Sequence, residues 1–166
     1  MVKNSLRKIL LNFTILIVIF LIDRFSKIYI LKIAKLENVV DIYVNPYLNF
    51  YLIWNKGIAF GLFSFDDNFV YNLISLIIAI ISIIILVMII KSNGFKKYSL
   101  ISILGGSIGN LFDRLYFSAV PDFIDFHVND FHWFIFNVAD IFISIGVMCL
   151  IFDEIFNNKR NKNEII

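Results

Sequence analysis

The chain has 166 residues, 60% hydrophobic and 17% aromatic, with a mean hydropathy of +0.83, which excludes an ordinary soluble domain. It has room for about four bilayer-spanning helices of roughly 20 residues each, plus one modest extramembrane element. A dispersed net charge of +2 excludes a nucleic-acid footprint, and a single cysteine, Cys149 within an apolar run, excludes a disulfide framework and reads as a small packing residue.

The first apolar run covers about residues 9–33. Lys3, Arg7 and Lys8 precede it as in a secretory signal. No small-residue cleavage site follows, and the run continues through Asp23, Arg24 and Lys27, so a retained first helix is expected. Asp23 and Lys27 lie four apart on one helix face and can pair. Residues 34–68 are too long for a turn, and the β-branched and aromatic stretch from Val39 to Trp54, with Pro46 and Asn49 as breakers, is expected to form short strands or an interfacial layer. Tyr43, Tyr47, Tyr51 and Trp54 suit the headgroup level. In the following segment, Asn55 leads into Gly57 and Gly61, a spacing that lets backbone pass close to a helix or a substrate.

The second span, about residues 69–90, is apolar nearly throughout, with Ser75 and Ser82 free to bond their own helix backbone. The third, about 98–112, carries the pair Gly105 and Gly109, which permits close approach of a neighbouring helix. The fourth, about 134–152, places Asn137, Asp140 and Ser144 on one face, expected to point inward. The fold class is therefore an all-α membrane protein, one domain over residues 1–166, with four transmembrane helices and a small outer-face β or interfacial element between the first two.

Lys and Arg cluster at the N-terminus, between Lys91 and Lys97, and at Lys159, Arg160 and Lys162. By the positive-inside rule these three segments are cytoplasmic, which fits an even number of spans with both termini inside. The other connections then face outward, and Asp23, Asp113, Asp122 and Asp140 come to one level near the outer boundary. Two carboxylates close together in a partly dry site share a proton, the arrangement that activates a water and protonates a leaving amine. Asp122 and Asp140 suit that role best. Asp113 beside Arg114 reads as a structural ion pair. Asn110 and Asn137, each three residues before an acid, can donate to a carboxylate or a peptide carbonyl. His127 and His132, with Asp125 and Asp130 nearby, match no strong zinc motif and read as solvated loop histidines, so neither a metal nor a cofactor is expected.

Five strings in order resemble the bacterial lipoprotein signal peptidases, the type II signal peptidases: Asp23-Arg24-Phe25-Ser26-Lys27, Asn55-Lys56-Gly57-Ile58-Ala59-Phe60-Gly61, Gly105 to Arg114, Val120-Pro121-Asp122-Phe123-Ile124-Asp125, and Phe136-Asn137-Val138-Ala139-Asp140. The resemblance implies a multi-pass aspartyl endopeptidase of the bacterial cytoplasmic (inner) membrane, its site near the outer face. It would cut prolipoproteins before a diacylglyceryl-modified cysteine in membrane lipid. A monomer is expected, although the sequence itself does not fix the oligomeric state. Asp122 and Asp140 would be the catalytic dyad. Asn55, Gly57, Asn110, Asp113, Arg114 and Asn137 would support it, with Asp23 and Lys27 supporting the fold or the site's edge. Ser118, where the family usually has Gly, together with Pro121 and Ile141, departs from the pattern. The alternatives are a small proton-coupled transporter and a structural membrane subunit.

Overall fold

The structure, a computed structural model, describes residues 2–57, 68–129 and 131–163. Ile58 to Gly61 of the second string, and Asp130, lie outside the described residues. Eight elements follow in chain order: α1 (Val2–Glu37), β1 (Asp41–Asn45), β2 (Leu48–Asn55), α2 (Asn68–Lys91), α3 (Gly94–Phe117), β3 (Val120–Val128), β4 (Phe131–Phe136) and α4 (Val138–Asn163).

The helices follow from composition. α2 has an almost unbroken apolar sequence, yet Leu76, Ile80, Ile83, Ile84 and Val87 are exposed. A helix that is apolar all round and turns those side chains outward uses lipid as its solvent. Leu6–Glu37 and Phe69–Lys91 are both long and apolar enough to cross a membrane. Ser75 and Ser82 donate their hydroxyls to the carbonyls of Tyr71 and Ile78, so neither polar group faces hydrocarbon unpaired.

α3 is the hub, packing against α1, α2 and α4. Its small residues make this possible. A Cβ at Gly105 would lie 2.7 Å from the Ile19 side chain of α1, and one at Gly109 would lie 2.6 Å from Asp23 Oδ2. Gly106 faces the Ala139 carbonyl of α4 in the same way. Where lipid removes the hydrophobic drive for helix association, this close backbone approach supplies the packing. One apolar cluster joins Ile85 and Ile89 of α2 to Leu100, Ile101, Ile103 and Leu104 of α3. A second, of Ile30, Val40 and Phe123, seats the sheet on α1.

The sheet bears out the expected β element but is larger than the segment between α1 and α2 alone would make it. It is antiparallel, in the order β1-β2-β3-β4, and half of it comes from residues 120–136, not from the 34–68 segment alone. The fourth helix consequently begins at Val138, not near residue 134, because Phe131–Phe136 pairs as β4. α3 extends five residues past the expected residue 112, to Phe117. Pro46 and Tyr47 turn β1 into β2, fixed by the Tyr47 N–H donating to Asn45 Oδ1 at 2.9 Å. Asn49, expected as a breaker, instead pairs with Tyr43 inside the ladder.

Candidate active site

The end of the helices nearest the sheet holds a buried polar network in two parts. The first is a charge cluster between α1 and α3. Lys27, fully buried, donates from Nζ to Asp23 (2.9 and 3.0 Å), to Asp113 Oδ2 (2.7 Å) and to Asn110 Oδ1 (2.8 Å). Arg24 Nη1 lies 2.5 Å from Asp113 Oδ1. Two cations and two carboxylates thus neutralise one another out of water, the condition under which buried charge is tolerable. Asp113 pairs with Arg24 and Lys27, not with its neighbour Arg114. Residues adjacent on a helix point about 100° apart, so sequence adjacency misassigns the pair. Arg114 turns the other way and donates to the Gly57 carbonyl, while its own carbonyl accepts from Tyr71 Oη at 3.0 Å. Arg24 and Tyr71 were missed as site residues. Arg24 had a signal, a second cation inside an apolar run, whereas Tyr71 had none.

The second part is the acid pair. Asp122 is fully buried on β3. Its Oδ2 accepts from Asn55 Nδ2 at 2.8 Å and its Oδ1 from Asn137 Nδ2 at 2.6 Å. Asp140, 4% exposed, accepts at Oδ1 from Asn110 Nδ2 (2.8 Å) and at Oδ2 from the Asn137 N–H (3.2 Å). The Asp140 N–H donates back to Asn137 Oδ1 at 3.2 Å. That reciprocal pair is a capping box: Asn137 is the N-cap of α4 and Asp140 its third residue. Asp23 Oδ1 takes the next free donor, the Ala139 N–H, at 3.0 Å, so α1 helps to cap α4. Both acids are therefore bonded to the one residue, Asn137.

Burial, and secondly the charge of Asp140, push the Asp122 carboxyl up from an ordinary 3.8 to about 7. Ser144, expected to face inward, is half-buried and lines an open apolar groove of about 280 Å³ with Phe136, Asp140, Ile141, Ile145 and Met148. His127 and His132 are strand residues, not loop residues, one buried and one exposed. Cys149 is half-buried and free.

Two of the departures find local reasons. Ser118 caps α3 in the left-handed region, φ 56° and ψ 23°, where glycine is the unstrained residue. Pro121 sits opposite Trp54 of β2, before β3 begins pairing with β4 at Ile124, where a missing N–H breaks no bond to β4.

Lipid-facing helices enclosing a charge-balanced polar core, with paired carboxylates under a small sheet, define a membrane enzyme rather than an inert helical subunit. A solved structure described as a bacterial membrane enzyme has the same fold, with a TM-score of 0.70 and 26% identity over 90% of each chain. The signal peptidase II family model matches residues 15–156. A lipoprotein signal peptidase of Pelagibacter ubique is 52% identical over 98% of both chains, and one of Anaplasma phagocytophilum is 39% identical over 90% of this chain and 95% of its own. The chain belongs to the signal peptidase II family and is a peptidase.

Proposed function

We propose that this chain is an aspartyl endopeptidase of the bacterial cytoplasmic membrane that removes signal peptides from diacylglyceryl-modified prolipoproteins, cutting before the lipidated cysteine. All four helices span, both termini are cytoplasmic and the site lies near the outer face. The observation that carries the reading is the shared attachment of two buried carboxylates, Asp122 and Asp140, to Asn137. With its carboxyl raised to about 7, Asp122 keeps a proton in a substantial share of molecules at neutral pH, so it is able to supply the proton of the pair.

Asp140 takes a proton from water as the water oxygen attacks the scissile carbonyl carbon. Asp122 gives its proton to the carbonyl oxygen, yielding a neutral gem-diol. Asp140 then passes its proton to the departing amine as the C–N bond breaks, and Asp122 recovers a proton from a gem-diol hydroxyl. The asparagines orient the acids throughout. The groove beside Asp140, apolar and open outward, suits the aliphatic part of such a substrate, which need not leave the lipid.

The test is cleavage of a lipid-modified prolipoprotein and its unlipidated form by purified wild type, Asp122→Asn and Asp140→Asn. The wild type cuts the lipidated substrate only. Each variant stays folded and membrane-inserted and loses at least about 10²–10⁴-fold in kcat, the usual span of a lost acid–base step. Wild-type turnover in either variant overturns the dyad.

A further inference from the structure

Asp125, His127 and His132 form a cluster outside the acid pair. Asp125 and His127 are two apart on β3 and both are buried, as expected of one strand face. His132 of β4 stands opposite His127 in the ladder, beside a register shift between Phe126 and His127. Asp125 Oδ2 lies 2.8 Å from His132 Nδ1 and 3.6 Å from His127 Nδ1, and one ligand atom from each residue falls within 4.8 Å of the others.

His127 supplies an independent observation. It is 8% exposed, yet its Nδ1 has no hydrogen-bond partner among the described residues. A buried ring nitrogen left unpaired beside a carboxylate is a group missing its partner. We propose that Asp125, His127 and His132 form a divalent transition-metal site, suited to Zn²⁺, that ties β3 to β4. Bonds of about 2.0–2.2 Å in a tetrahedral site put ligand atoms roughly 3.3 Å apart, between the two separations found here. The set of two imidazoles and one carboxylate matches zinc chemistry. A cavity of about 390 Å³ lined by Asp41, Asn49, Tyr51, Asp125, His132 and Ile135 adjoins two of the three side chains, with room for a bound water. Asn49 pairs with Asp125 across the β2–β3 ladder, and its Oδ1, also buried without a partner among the described residues, is an acceptor for that water. None of these residues belongs to the acid pair or its asparagines, so the site stands or falls independently of the peptidase mechanism.

The experiment uses full-length protein without a histidine tag, in detergent micelles, stripped by a chelator and titrated with Zn²⁺ against a chromophoric indicator. One equivalent of Zn²⁺ binds and raises the melting temperature, and Co²⁺ in its place gives the visible bands of a four-coordinate site. His132→Ala, at an exposed position that folding tolerates, and Asp125→Asn each weaken binding by at least about 10–100-fold, as losing even an outer-shell partner does. In His132→Ala the melting temperature no longer responds to Zn²⁺. No stoichiometric uptake by the wild type, or uptake undiminished in both His132→Ala and His127→Ala, overturns the site and leaves an ordinary carboxylate–histidine hydrogen bond.

Discussion

Three asparagines share one device. Asn55, Asn110 and Asn137 each have the amide oxygen held by a donor, respectively the Gly57 N–H, Lys27 Nζ and the Asp140 N–H, which leaves the amide nitrogen aimed at a carboxylate. The partner on oxygen decides which way the amide faces. The sequence left two roles open for Asn110 and Asn137, and the structure aims all three amides at acids rather than at a peptide carbonyl. The positions were legible because each Asn sits beside or three residues from a landmark, but the choice depended on partners up to 83 residues away. Asp122 sets a pH dependence. Its carboxyl titrates near 7 when folded and near 3.8 when unfolded, so the folded state binds the proton more tightly. The associated stability is fully present below about 3.8, declines as pH rises, and is lost above about 7, a change of a few kcal/mol. Unfolding in micelles from pH 4 to 8 should show this decline, and Asp122→Asn should flatten it. Under the proposed mechanism, turnover should fall above about pH 7 as Asp122 loses its proton.

Among elements, the helices were readable and the sheet was only half so. Apolar runs marked α1 and α2 because lipid rewards unbroken hydrophobicity. Phe131–Phe136 reads equally as helix or strand, since a short apolar run has no period of its own, and pairing with β3 decided for strand. The start of α4 was encoded by Asn137 and Asp140, whose spacing is that of a capping box; that signal argued against a helix beginning near 134. The junction from α3 to β3 carries its own prediction. Ser118 holds a left-handed conformation that costs a residue with a Cβ about 1–2 kcal/mol, partly offset by the freedom glycine gains when unfolded. Ser118→Gly should therefore raise stability by about 0.5–1 kcal/mol without altering cleavage, read as a higher unfolding midpoint.

Across the whole molecule, Lys27 is where the helices meet: it binds Asp23 of its own helix and two residues of α3, and Asp23 in turn caps α4. Removing the ammonium leaves buried carboxylates undercompensated and frees the Asn110 amide to rotate. Lys27→Met should cost about 3–5 kcal/mol in denaturant unfolding and lower kcat, with part of the stability recovered when Asp23→Asn is added. This network could be listed from the sequence as charges inside apolar runs, but Asp113 was paired wrongly because helix packing, not adjacency, selects partners.

The Ala139 N–H donates to Asp23, joining α1 to a helix that is synthesised 116 residues later. A nascent chain still threading into the bilayer holds Asp122 with neither Asp140 nor the cap that orients it. Under the proposed mechanism such a chain is inert until α4 is made, and neighbouring polypeptides are spared premature cutting during its synthesis.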